Sequence, residues 1–209
     1  MKPLTKYFLS TFGGKVVRRA SVENMCKKFG ANATNTINFM ISYGYLTRII
    51  RGLYYVKTFE EFTLKKAVDI YKVISLGMDE LKIGWYFGLY TALRFNGVTH
   101  EFSDTIFVLN DEIFRQKELK VSGERMKFIK MSPSLFGFGV IDRNNVKFSD
   151  LEKTILDFAY ISRYRSIPEE KIISTIEEYA REARTAKVKE YLKFYPKTVG
   201  KVVENAGLV

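Results

Sequence analysis

Cysteine, histidine and glutamine each occur once in 209 residues, as Cys26, His100 and Gln116. One cysteine excludes an internal disulfide and any cysteine-rich zinc site. One histidine removes most catalytic triads and metal clusters, so neither a resident metal nor a cofactor is expected. No apolar run approaches the ~18 residues of a membrane-spanning helix. The opening stretch has too short an apolar segment, and the wrong flanks, for a secretory signal. A cytoplasmic protein is expected. Scarce glutamine beside abundant lysine and glutamate is a thermophile-like bias. With 46% hydrophobic and 15% aromatic residues the chain can bury a core, as one large domain or two small ones.

What the chain has in excess is positive charge, unevenly placed. The first 58 residues hold ten bases (Lys2, Lys6, Lys15, Arg18, Arg19, Lys27, Lys28, Arg48, Arg51 and Lys57) against one acid, Glu23. They carry nine of the eleven net charges, and the remaining 151 residues, with 24 bases and 22 acids, are nearly neutral. Crowded like charges oppose compaction. A polyanion offsets that cost, because neutralising phosphates releases condensed counterions. A uniformly basic surface would spread its charge along the chain; this pattern points to double-stranded DNA as partner.

The same segment reads as three helices and a hairpin. Pro3 suits a first helical turn, and Leu4, Tyr7, Phe8 and Thr11 follow at helical spacing up to Gly13-Gly14. Ser21 is expected to cap a helix that runs to Phe29 with Val22, Met25, Cys26 and Phe29 on one face. After Gly30 the pattern predicts a helix over 33–43, with Ala33, Ile37, Met40 and Ile41 inward and Asn32, Thr34, Asn35 and Asn38 opposite. Asparagine is a poor helix former but pairs well with the adenine edge in the major groove. Two β-prone runs, 45–50 and 53–56, joined by Arg51-Gly52, read as a wing behind a helix-turn-helix. Asn32, Thr34, Asn35 and Asn38 are thus the candidate base-reading residues. Lys15, Arg18, Arg19, Lys27 and Lys28 are candidate phosphate contacts, and Arg48 and Arg51 belong to the wing.

The expected fold is α+β: an N-terminal winged helix-turn-helix over residues 1–60, then a mixed α+β domain over 61–209. That domain is expected to hold an aromatic-rich helix over 85–96 and a small antiparallel sheet from runs near 106–109, 126–129 and 146–148. A helical portion is expected from about residue 149, opened by a Ser149–Glu152 capping box. Lys153 and Asp157, at i and i+4, read as a helix-surface pair contributing a few tenths of a kcal/mol. Gly137-Phe138-Gly139 lacks the context of a phosphate-binding loop. Opposite charges on the last helices read as solvated faces or a two-signed docking surface.

Three blocks together resemble the AbiEi family of antitoxins from type IV toxin–antitoxin systems. They are Arg48-Ile49-Ile50-Arg51-Gly52-Leu53-Tyr54, then Tyr86-Phe87-Gly88-Leu89-Tyr90-Thr91-Ala92-Leu93 with Gly97-Val98-Thr99, and Glu152-Lys153-Thr154-Ile155-Leu156-Asp157. Their order and approximate spacing match the family over roughly residues 15–160. The resemblance implies a winged helix that represses its own operon at inverted repeats, acting as monomer or homodimer. It also implies a C-terminal domain that counters a nucleotidyltransferase toxin. It assigns Glu152, Lys153 and Asp157 no catalytic role.

The expected function is therefore a non-enzymatic repressor and antitoxin. Two alternatives remain open at this point. Asp104 with Glu118-Leu119-Lys120 can pose as the carboxylate–lysine set of a Mg²⁺-dependent nuclease. Trp85, Tyr86, Phe87 and Tyr90 can line the pocket of a ligand-sensing transcription factor, although an aromatic stripe reads first as core. His100 has no partner base or nucleophile in the sequence pattern, and Cys26 reads as a buried, inert thiol.

Overall fold

A computed structural model describes residues 2–98 and 103–209; His100 and Thr99 lie outside the described residues. By its contacts the chain forms two compact units, one of Met1–Lys82 with Leu119–Glu124, the other of Ile83–Glu118 with Arg125–Val209. The architecture is α+β. Among the described residues no helix is long and apolar enough to cross a membrane.

The first unit runs α1 (Pro3–Phe12), β1 (Val16–Arg18), α2 (Arg19–Lys28), α3 (Ala33–Ser42), β2 (Leu46–Ile50), β3 (Leu53–Val56), α4 (Phe59–Thr63) and α5 (Ile70–Leu81). Its antiparallel sheet has the order β1-β3-β2, so the unit has winged-helix topology. Phe8, Val22, Cys26, Ile37, Met40, Leu46 and Val56 form its core; the Cys26 thiol is buried, as expected. Strand β1 passes directly into α2, which begins at Arg19 without a side-chain cap. Ser21 therefore lies inside the helix instead of capping it. The unit extends past the wing because α5 packs on the sheet: a methyl group on Gly77 would lie 2.8 Å from Ile49 Cδ1. Thr58 and Glu61 close a reciprocal capping box at α4.

The second unit contains β4 (Trp85–Phe87), α6 (Leu89–Phe95), β5 (Thr105–Asn110), β7 (Glu124–Lys130), β8 (Val140–Arg143) and β9 (Val146–Ser149). Helices α7 (Leu151–Tyr164), α8 (Glu169–Tyr179), α9 (Thr185–Leu192) and α10 (Lys197–Asn205) follow. Strand β6 (Leu119–Val121) falls in the first unit, and the strand order within the second is β7-β5-β4-β9-β8. The sheet is larger than the sequence suggested, and mixed: β4 with β5 and β8 with β9 are antiparallel, whereas β5 with β7 and β4 with β9 are parallel. Trp85, Tyr86 and Phe87 form an inner strand of this sheet and not the first turn of a helix. All three are buried, as suits a strand covered on both faces.

Helix α7 organises the unit, packing against α6, α8, α9, α10 and β9. Its cap is Asp150, whose carboxylate accepts from the Lys153 amide at 2.8 Å. The capping box expected of Ser149 and Glu152 is absent. The Ser149 hydroxyl bonds that of Thr154 at 2.7 Å. Glu152 accepts from the Arg184 amide and Nε, both at 3.1 Å, and lies 3.2 Å from Lys187 Nζ. Burial alone would raise the Glu152 pKa; the hydrogen bonds from Arg184 and Lys187 outweigh it and hold the carboxyl below its usual range.

Lys153 and Asp157 are not a surface pair: neither side chain is exposed to solvent at all. Spacing alone could not show this, because α7 is buried on every side from Leu151 to Ala159, where a surface helix has one face free. Lys153 Nζ is 3.4 Å from Asp157 Oδ1 and donates to the Tyr195 hydroxyl at 3.2 Å. Tyr195 donates to Asp157 Oδ1 at 2.6 Å, and Tyr86 to Oδ2 at 2.9 Å. The ammonium also stands over the rings of Phe138 and Tyr86, 4.5 and 4.8 Å from their centroids. Gly139, at φ 63°, makes room for it, since a Cβ there would lie 2.8 Å from Lys153 Cβ. Burial pushes the lysine pKa down and the aspartate pKa up, against their mutual attraction.

Removing the cation alone should leave a buried carboxylate uncompensated. Lys153→Met is expected to cost about 3–5 kcal/mol, read by urea denaturation followed through the fluorescence of the only tryptophan, Trp85, which is buried in this unit. Without the ammonium, the folded pKa of Asp157 rises further above its unfolded value. The deficit relative to wild type should therefore be full at pH above that raised pKa and shrink as pH falls through it toward the ordinary carboxylate range. A pH-independent deficit would contradict this account.

Candidate nucleic-acid interface

The turn between α2 and α3 is set by Gly30 and closed by a hydrogen bond from the Ala31 amide to the Cys26 carbonyl, 2.9 Å. Asn32 then caps α3: its side-chain oxygen accepts from the Asn35 amide at 3.0 Å, and its carbonyl accepts from the Thr36 hydroxyl at 2.8 Å. Its carboxamide oxygen is thus already engaged in the helix start. Ile37 and Met40 are buried beneath α3, while Thr34, Asn35 and Asn38 face solvent. The helix contains no charged residue. What it presents is a short row of neutral donors and acceptors.

All eleven residues singled out from the sequence are exposed, but they divide by partner. Lys27 and Lys28 occupy the last turn of α2, where they also complement the helix dipole. Arg19 pairs with Glu23 (2.7 Å) and donates to the Thr34 hydroxyl (3.0 Å), tying the start of α2 to the start of α3. The Glu23 hydrogen bond and charge hold its guanidinium even more firmly protonated. Arg18 binds the Glu80 carboxylate at 2.7 Å and the Glu80 carbonyl, so much of its charge is answered inside the unit. In the wing, Arg48 lies 5.9 Å from the Tyr54 ring, and a register shift separates it from Ile50. Arg51 and Gly52 form the two-residue tip. The side chains of Lys15, Lys27, Lys28, Asn35, Asn38 and Arg51 make no ion pair or hydrogen bond among the described residues.

The sequence reading missed Lys2. Its Nζ stands 4.8 Å from the centroid of Phe39 on α3, adding a cation beside the neutral face. No spacing rule links residues so far apart in the chain; only the packing of α1 brings them together. Elsewhere, Asp104 is held by Arg125 at 3.0 Å. Tyr86 of the second resembling block bonds Asp157 of the third, so two of the three blocks meet inside one buried network.

The fold thus defines a winged-helix protein with a second α+β unit. No family model matches the chain, and no curated protein does. The crystal structure of the protein Rv2827c from Mycobacterium tuberculosis is similar to it over 97% of this chain and 74% of that one, with a TM-score of 0.59 and 10% sequence identity. At that identity the likeness is one of fold.

As the cap of α3, Asn32 should matter for stability where Asn38 does not. Asn32→Ala is expected to cost about 0.5–2 kcal/mol and to speed amide exchange in the first turn of α3. Asn38→Ala should stay within about 0.5 kcal/mol. Equal exchange rates in the two variants would remove the capping role.

Proposed function

We propose that the first unit binds double-stranded DNA and that the chain is a cytoplasmic, sequence-specific repressor without enzymatic activity. The supporting observation is the exposed, neutral Thr34, Asn35 and Asn38 face of α3, with Lys2 beside Phe39 and with Lys27, Lys28, Arg48 and Arg51 exposed in the same unit. In this proposal α3 enters the major groove. Asn35 and Asn38 meet base edges, and Arg51 and the lysines meet phosphates. Asn32 and Arg19 hold the reading helix in place, and Arg18 contributes less than its exposure suggests. The antitoxin role, opposing a nucleotidyltransferase toxin from the same operon, rests on the resemblance of the three sequence blocks to AbiEi proteins.

The test is binding of the full chain to its own upstream DNA and to a scrambled fragment across a salt series. Arg51→Ala should weaken both about equally and flatten the salt slope by about one unit, whereas Asn35→Ala should cost about 1–3 kcal/mol on the upstream fragment alone. Identical effects of the two changes on both fragments would sink the placement of α3. The antitoxin role fails separately if the chain does not rescue growth from its operon's toxin.

A further inference from the structure

At its C-terminal end α7 reaches solvent at Tyr164, whose ring stacks on that of the half-buried Tyr160 at 28° with centroids 6.5 Å apart. Beside them the second unit encloses an open cavity of about 640 Å³, walled by the end of α7, by β7 with the residues after it, and by Phe114–Gln116. Its floor is apolar: Phe128, Ile129, Met131 and Ile161. Its rim carries four bases, Arg115, Lys127, Lys130 and Arg165, and no Asp or Glu lines it. This is a local excess in a part of the chain whose charges nearly cancel. The Lys127 ammonium donates to the Gln116 carbonyl, fastening one wall to β7. Arg115, Lys130 and Arg165 make no ion pair among the described residues. Phe114 and Tyr164, 77% and 85% exposed, are the two most exposed large hydrophobic side chains among the described residues.

Each part narrows the ligand. The volume is that of a small-molecule site. An uncharged apolar ligand would strip water from four cations without answering their charge. A bare inorganic anion would answer the charge and leave the aromatic walls in water. A planar ring joined to several negative charges uses both, since a base stacks on aromatic and guanidinium faces while phosphates take the fixed cations. We propose that this cavity binds a nucleoside phosphate, with the base on Phe114 and Tyr164 and the phosphates on Arg115, Lys130 and Arg165. The site is independent of the helix-turn-helix and does not require that the first unit bind DNA.

The same chemistry is offered by a free nucleotide and by the end of a single strand, so the experiment carries both. Binding of the full chain is measured by calorimetry with ATP, adenosine, inorganic triphosphate and a short single-stranded oligonucleotide. ATP should bind saturably, with triphosphate about tenfold weaker or more and adenosine weaker still. Tyr164→Ala and the pair Lys130→Ala, Arg165→Ala should each lower ATP affinity about tenfold or more. All three positions are exposed, so the fold should survive; Arg51→Ala, in the wing, should leave ATP binding unchanged. An oligonucleotide that binds tighter than ATP with the same dependence on Tyr164 identifies a strand end as the natural ligand. The proposal is overturned if ATP does not bind at millimolar concentration. It is equally overturned if triphosphate matches ATP and Tyr164→Ala changes nothing, or if binding disappears with Arg51.

Discussion

A lysine ammonium and an aspartate carboxylate, both without solvent contact, set the terms for the second unit. Neither can be buried alone, so every group around them is constrained. Asp157 needs its hydroxyl donors, which fixes Tyr86 on β4 and Tyr195 just before α10. Lys153 needs its aromatic faces, which fixes Phe138, and space, which fixes a glycine at 139. One helical turn therefore dictates the positions of an inner strand, a loop and the approach to the last helix. Such a pair adds little net stability over well-packed apolar residues. Its consequence is specificity: a shift of α7 by one residue would strand both charges and two hydroxyls.

This explains how the sequence blocks Tyr86–Leu93 and Glu152–Asp157 work as one. They are joined by the Tyr86–Asp157 hydrogen bond, between residues 71 positions apart in the chain. Glu152 and Asp150, at the start of the same helix, collect Lys187, Arg184 and Tyr191 from α9 and its approach. The polar residues of the block are thus accounted for by holding helices together.

The winged helix was legible because its signals are local: periodic apolar faces, a glycine turn and a two-residue hairpin tip each act over a few residues. The fold class and the helical C-terminal part were legible for the same reason. What escaped depends on tertiary burial. Trp85–Phe87 matches a helix by spacing and a strand by coverage, and coverage decided. Lys153 and Asp157 show the i,i+4 separation of a surface pair, yet the helix carrying them has no free face. Ser149 and Asp150 both qualify as caps, and the choice fell to the residue whose carboxylate also meets Lys187 and Tyr191. At the interface, the exposure of all eleven residues was readable, but their engagement was not. Arg18 is answered by an acid sixty-two residues away, on a helix that sequence reasoning placed beyond the domain.

That acid bears on how the first unit manages its charge. Residues 1–82 hold fourteen bases and six acids, and four of those acids are committed at fixed places. Glu61 and Asp69 are spent on the starts of α4 and α5, and Glu80 on Arg18. Glu23 is turned onto Arg19, which in turn fixes Thr34 at the head of α3. Arg18 and Arg19, the two cations nearest the joint between β1 and α2, are the ones answered internally and used to hold the module's shape. Lys15 before β1, Lys27 and Lys28 at the end of α2 and Arg51 at the tip of the wing have no acidic partner among the described residues, and Lys2 stands beside Phe39. Internal pairing thus ties β1 to α5 and the start of α2 to the start of α3, and leaves other cations of the unit exposed.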